Sequence, residues 1–441
     1  MLPLALVCAL FALACSPPAR SGRPNIVILV SDDQDFEHFG FAGHPLVNAP
    51  TIDTLAAEGV RFDFCFVPMS RCRPAQAALL SGQWPHQSGV YYNVGATHID
   101  PDASLANRLS AVGYRCFGEG KFWEFDPRLM GFENYTIRNY ETFGRLGQAH
   151  LFEWLESLDP ATPFFLWWAP ELPHVPHDPP ERFLDAIDPA AIPIPGYVAP
   201  DRVEEYRTLE RKSLAMVSWL DETIAELRAE LESLGLLDDT LFLFLVDNGW
   251  ANGLPSKGTA FDKGLRTPAI FTWPEEIPGG SVHDELISAV DLYATLLDYG
   301  GATPLPSCMG RSLRPLIEGR PFTPREALFG GIYLQRPPDG WADPTRDLVA
   351  LWARTKRYKY ILYLQDVHEA EDARLHIQAN ACDYPERDRG DEDLFDLEAD
   401  PEELNNLAGD PQLAAKKAEL RQRVLEWWRE TGGGDLSVPA D

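Results

Sequence analysis

Two stretches of the chain end in oxygen-bearing side chains. Asp32 and Asp33 close the apolar run "IVILVSDD", and Asp247 and Asn248 close "LFLFLVDN". Three carboxylates and an amide brought to one place would repel one another without a cation, and such donors suit a hard ion such as Ca²⁺ or Mg²⁺. Taken singly, each pair also reads as an ordinary loop opener. In "SRCRPAQAALLSG", Cys72 stands where a helix pattern begins. A nucleophile there gains from free backbone N–H groups and the helix dipole, and Arg71 and Arg73 would draw its pKa down; the plainer alternative is a structural thiol. Lys121 in "GEGKFWEF", His174 in "PELPHVPHDPP" and Lys257 in "SKGTAFDKGLRTP" each follow a strand-like run, so all three can face one cleft. Each alone reads first as a solvated lysine or a structural histidine.

The elements that would position these residues are legible. "PNIVILVSDD", "TPFFLWWAP" and "TLFLFLVDNG" are continuous apolar runs, as expected of strands buried on both faces. Helical patterns lie between them: "APTIDTLAAEGV", "AQAALLSG", and a long one from Val203 that stops at Gly235. The alternation predicts an α/β fold: a large mixed, mostly parallel sheet sandwiched by helices, with ligands at the carboxyl ends of the strands. After a Pro- and Gly-rich region over 301–345, "LVALWARTKRYKYILYL" predicts paired strands and "PQLAAKKAELRQRVLEWWRETGGG" a closing helix. The expected division is a leader over 1–21, a catalytic domain over 22–345 and a smaller C-terminal α+β subdomain over 346–441.

The formal net charge of −29 over 441 residues argues against a nucleic-acid partner and requires any anion site to be a local pocket of positive charge. The opening "MLPLALVCALFALACSPPARS" reads as an export signal, and "ALAC" suggests lipid attachment at Cys15, so a periplasmic or cell-surface protein is expected. Beyond the leader, Cys65, Cys72, Cys116, Cys308 and Cys382 are odd in number and fit neither a disulfide framework nor a zinc site.

The order of the motifs resembles that of the sulfatase family, in the alkaline-phosphatase-like superfamily. The matching stretches include "RPNIVILVSDDQ", "APTIDTLAAEGVRFDFCFVPMSRCRPAQAALLSGQWPHQSGV", "GYRCFGEGK", "PHVP", "LVDNGW", "KGTAFDKGLRTPAIFTWP" and "DLFDLEADPEELNNLA", covering nearly all of the chain beyond the leader. The Gly-Lys-aromatic form at Lys121 leans towards the branch that includes iduronate sulfatases. The resemblance implies one Ca²⁺ held by Asp32, Asp33, Asp247 and Asn248 together with residue 72. It implies conversion of Cys72 to formylglycine by a formylglycine-generating enzyme, the hydrated aldehyde then attacking sulfur. It implies sulfate binding by Lys121 and Lys257, protonation of the leaving alcohol by His174, and a sulfated small molecule or glycan as substrate.

Two positions depart from the family pattern. Its Cys-x-Pro-x-Arg motif has Gln76 in place of arginine, and the histidine expected just after Lys121 is replaced by Trp123 and Glu124. Arg71 or Arg73 is then expected to supply the missing charge. The competing readings are a phosphate or phosphonate ester hydrolase on the same metal cleft, and a degenerate protein that binds an anionic glycan. Tyr91, Tyr92 and Trp341, near predicted loops, are candidates for stacking on a sugar.

Overall fold

The computed structural model describes residues 22–124, 126–134, 142–274, 276–335, 342–368 and 385–438. The leader, Cys15, Trp341 and Cys382 lie outside the described residues.

The large sheet comprises β1 (Asn25–Ser31), β2 (Val60–Phe66), β3 (Arg115–Gly120), β4 (Phe164–Ala169), β5 (Thr240–Val246), β6 (Arg266–Thr272), β7 (Ser281–His283) and β8 (Ile287–Ser288). Its order is β3-β4-β1-β5-β6-β2-β7, with β8 also on β2. Strands β3, β4, β1 and β5 are parallel, and β6 runs antiparallel to both β5 and β2.

The apolar runs are continuous because both faces are covered. Side chains alternate across a strand, so Ile26, Ile28 and Val30 enter one core with Phe165, Trp167, Leu243 and Leu245. Val27 and Leu29 enter the other with Leu166, Trp168, Phe242 and Phe244. The first core is closed by the helices Cys72–Ser81 and Ala289–Gly300, through Ala77, Leu79, Leu80, Leu292 and Leu296. The second is closed by Pro50–Glu58 and the long helix Val203–Ser233, through Ile52, Leu55, Met216, Leu220, Ile224 and Leu227.

A second sheet is antiparallel, in the order β12-β11-β10-β9, formed by β9 (Leu328–Tyr333), β10 (Leu348–Arg354), β11 (Tyr358–Tyr363) and β12 (Glu392–Asp396). The predicted strand pair is β10 and β11, and the closing helix Ala414–Glu430 packs Leu420, Val424 and Trp428 into the same core. The expected boundary at 345/346 falls between two paired strands, since β9 precedes it and β10 follows it. The glycines of "LFGGIY" hid β9: a Cβ on Gly330 would lie 2.3 Å from the Pro68 carbonyl oxygen and 2.4 Å from the Trp352 ring. The close approach that removes the strand signature is what seats β9. Phe66, Val67, Met69 and Ala75 share this core, so the small sheet leans on the segment that carries Cys72.

Candidate active site

β1 and β5 pair in parallel with Ser31 opposite Val246, so their carboxyl ends are level and the two acidic pairs emerge side by side. Adjacent carboxylates on an extended strand would point to opposite faces. Asp33 instead takes φ 56°, a left-handed conformation that Asp tolerates better than most residues. Its N–H donates to Asp247 Oδ1 at 3.1 Å, and the Asn248 N–H donates to the same oxygen at 2.7 Å.

Lys121 leaves the end of β3, its N–H bonded to the Ala169 carbonyl at 2.6 Å. Lys257 lies in the β5–β6 connection, which is tied to the cysteine segment by Gly258 N–H to the Ser70 carbonyl at 2.8 Å. Cys72 opens its helix and is buried. The helix stops at Gly82, whose φ of 69° and close contact with Tyr293 require glycine.

The residues singled out as metal ligands or catalytic groups are brought together. Lys121 Nζ lies 2.7 and 2.5 Å from the two oxygens of Asp32. Lys257 Nζ lies 2.5 Å from Asp33 Oδ2 and 3.5 Å from His174 Nε2. His174 Nε2 is 3.2 Å from Asp33 Oδ2, and its Nδ1–H donates to the Val175 carbonyl at 2.6 Å. Cys72 Sγ is 3.9 Å from Asp32 Oδ1 and 3.8 Å from Asp33 Oδ1. Asn248 Nδ2 donates to Asp33 Oδ1 at 2.7 Å.

Burial dominates the electrostatics. It pushes Asp247 up to about 7, reinforced by Asp32, and Asp32 up to about 6 against the pull of Lys121. Asp33 is also buried, yet Lys257, His174 and Lys121 hold it below the usual carboxylate range. Burial pushes the Cys72 thiol well up, and Lys121 and Lys257 only partly offset this. Three carboxylates face two ammonium groups, so the cluster is short of positive charge. Among the described residues, Asp32, Asp33, Cys72 and His174 offer ligand atoms within 4.8 Å of one another, a possible metal site. Asn248 Oδ1 is buried beside them without a hydrogen-bond partner. The oxygen donors of this group, the carboxylates and the Asn248 carbonyl, fit a divalent cation, which would answer both the charge deficit and the orphaned oxygen.

The expectation for Arg73 is corrected. Arg73 is buried and spent on Glu124 (3.5 Å), the Gly95 carbonyl (3.4 Å), the Thr97 carbonyl and His98 Nδ1 (3.1 Å). Arg71 donates to the Tyr333 carbonyl at 3.2 Å. Lys121 and Lys257 supply the largest positive charge acting on the thiol, and Arg71 interacts with it electrostatically as well. Gln76 Nε2 donates to Asp247 Oδ2 at 3.0 Å, so the position of the family arginine remains in contact with a predicted ligand. Trp123 lies with its ring centroid 5.5 Å from Lys121 Nζ. Tyr91 and Tyr92 are buried, Tyr91 stacking on Tyr333 and donating to Asp347 at 2.9 Å, so neither presents a face to a sugar. Sequence reasoning missed His38, Glu210 and Asn252, which form a buried polar cluster behind the acidic turns; none belongs to a spacing pattern that would have marked it.

Strand ends of a mixed, mostly parallel sheet that gather acids, lysines and a helix-opening cysteine suit the hydrolysis of anionic esters. The chain belongs to the sulfatase family, whose model matches residues 24–302, and it is a sulfuric ester hydrolase. A model described as the C-terminal part of N-sulphoglucosamine sulphohydrolase matches residues 251–378. Human arylsulfatase A is 30% identical over 92% of this chain and 88% of its own. A solved structure of a protein in complex with its substrate, D-glucosamine-2-N,6-O-disulfate, superposes with a TM-score of 0.76 at 21% identity, covering 94% of this chain and 99% of that one. Phosphonate monoester hydrolase of Agrobacterium radiobacter superposes at 0.73 with 20% identity, over 93% and 96%.

Proposed function

We propose that the protein is an exported, Ca²⁺-dependent sulfatase that cleaves a sulfate ester of a carbohydrate, with formylglycine derived from Cys72 as nucleophile. The observation that carries this reading is the convergence of Lys121 and Lys257 on the two acidic pairs beside Cys72. Cys72 as formylglycine would supply a hydrated aldehyde, and the cation, held by Asp32, Asp33, Asp247 and Asn248, a Lewis acid. The chain's own residues do the rest. Lys121 and Lys257 hold sulfate oxygens, which they can do because burial excludes competing water. His174, its Nδ1–H fixed on the Val175 carbonyl, keeps Nε2 turned to the reacting centre, and as the imidazolium beside Asp33 it passes the Nε2 proton to the leaving alcohol.

A divalent cation added to three carboxylates and two lysines turns the net charge of the cluster from one negative to one positive, which suits a monoanionic sulfate ester. The substrate complex of the disulfated glucosamine in a related fold supports a sulfated glycan. The leader sequence supports export, with Cys15 as lipid attachment point and a formylglycine-generating enzyme as partner in maturation.

Peptide mass spectrometry around Cys72, on protein made beside an active modifying enzyme, tests the reading. The expected result is a peptide in which CH₂SH has become CHO. Unmodified Cys72 throughout would sink it. A second reading, hydrolysis of phosphonate or phosphate monoesters by an unconverted residue 72, is favoured by the neutral Gln76 and by the phosphonate hydrolase fold. Turnover of aryl phosphonate well above aryl sulfate by unmodified protein is the result that would select it.

A further inference from the structure

The long helix Val203–Ser233 buries two carboxylates: Asp221, which accepts from the Thr51 and Ile52 N–H groups, and Glu210, which lies beneath the acidic turns. A leucine or methionine there would cover the sheet at lower cost, since a buried charge is tolerated only when paired. Both oxygens of Glu210 are committed. Oε1 lies 2.8 Å from His38 Nε2, and Oε2 accepts from Asn252 Nδ2 at 2.6 Å. His44 Nε2 stands 3.8 Å from Oε1, and Ser213 Oγ lies 3.3 Å from His38 Nδ1. His38, with the Asn252 hydrogen bond, holds Glu210 at about 2 against burial, and Glu210 in turn raises His38.

The two partners lie on different loops. His38 is on the loop that Asp32 and Asp33 open, and its carbonyl accepts from Gln34 Nε2 at 3.0 Å. Gln34 is itself fixed by Ser31 Oγ at 2.6 Å, and its N–H reaches the Asn248 carbonyl at 3.3 Å. Asn252 is on the loop that Asp247 and Asn248 open. One carboxylate from a third element thus joins the two loops whose first residues carry all the acidic groups of the site.

We propose that Glu210 is a positioning residue for the cation: it straps the loop after Asp33 to the loop after Asn248 and so fixes the spacing of the two ligand pairs. The inference rests on the cation reading above. Groups that orient metal ligands from behind are worth about 10- to 100-fold in metal affinity, and Glu210 acts one loop further out, so the lower end applies.

The test is calorimetric titration of the full chain with Ca²⁺, beside thermal unfolding in a chelator. Glu210→Ala is expected to raise the Ca²⁺ Kd about tenfold. Glu210→Gln keeps an acceptor for Asn252 and should recover part of this. The double variant Glu210→Ala/Asn252→Ala should bind no more weakly than Glu210→Ala alone, because the strap is already cut. A merely structural residue would lower the unfolding temperature in chelator and leave the Kd as in wild type; that result overturns the inference. Should Glu210→Ala not fold, Asn252→Ala and His38→Gln each cut one strap, and an unchanged Kd in both overturns it equally. Wild type that binds no Ca²⁺ defeats the cation reading itself and this inference with it, whereas wild-type binding with unaltered variants defeats only the inference.

Discussion

Two buried clusters of charge lie close together in this molecule and handle the same problem differently. At the strand ends, Asp32, Asp33 and Asp247 face Lys121 and Lys257, with His174 beside Asp33. Against the small sheet, Asp262 faces Arg354 at 2.8 Å and Lys359 at 2.9 Å, both its oxygens occupied, with Glu403 beside it. Asp262 is pulled below the usual carboxylate range in spite of burial, by Arg354 and Lys359. Asp247 and Asp32 are pushed up. A cluster with cations enough for its acids is a strut; a cluster short of positive charge is built to receive it. Composition alone does not separate the two, because both are carboxylates beside basic residues in a dry interior.

The comparison breaks most directly at the lysines. Lys257→Ala is expected to lower kcat/KM on an aryl sulfate by about 10²- to 10³-fold, the cost of removing one preorganised donor to a developing charge. Ca²⁺ is expected to raise the unfolding temperature of the wild type, and Asp247→Ala to abolish that rise. Steady-state kinetics and calcium-dependent scanning measure the two. A calcium response retained in Asp247→Ala would remove that residue from the ligand set.

The strut should fail in the opposite manner. Asp262→Ala strands two buried cations, and breaking a buried pair costs about 3–5 kcal/mol, read as a lower urea midpoint. Turnover per folded molecule should stay within a few-fold of wild type. An activity loss as large as that of Lys257→Ala would mean that strut and site are one unit.

How much of this was visible in the sequence follows the same division. The strands β1, β4 and β5 and the long helix were legible because burial on both faces, or on one helical face, writes itself as apolar period. The candidate site residues were legible because strand-end acids and lysines stand in the order of a known family. Glycine hid β9, since a strand that approaches Trp352 so closely sheds the side chains that announce it. Arg73 looked like a source of charge for Cys72, and only the fold shows Glu124 and His98 claiming it. Glu210 is one acid among many on an acidic helix, and its burial under two loops is a tertiary fact that no periodicity records.

Gln76 sharpens the comparison from within the site. Its Nε2 already reaches Asp247 Oδ2, so Gln76→Arg would keep a donor there and add a charge where the cluster is short of one. The fraction of Cys72 converted to formylglycine should rise. Turnover of an aryl sulfate should rise about tenfold, the lower end for an ionic hydrogen bond made in the transition state. Mass spectrometry and initial rates read these separately. No gain in either would mean that Gln76 serves a chemistry other than sulfate transfer.

The smallest effect belongs to Glu403, and it tests whether the strut is indeed balanced without outside help. Glu403 is buried at φ 58°, accepts from the Asp262 N–H at 2.6 Å through Oε2, and leaves Oε1 without a partner. Burial and then the nearby Asp262 charge raise its pKa from 4.5 to about 8. A carboxyl raised in the folded state favours folding while protonated, so its contribution is complete below the unfolded value and is lost as pH rises through about 8. Wild-type stability should therefore decline from about pH 5 to pH 8.5 by more than that of Glu403→Gln. The glutamine keeps the carbonyl that Asp262 uses and cannot ionise. Urea midpoints of both proteins at the two pH values measure the slope. Parallel slopes would show that Glu403 is ionised in the fold and that Arg354 and Lys359 serve it as well as Asp262.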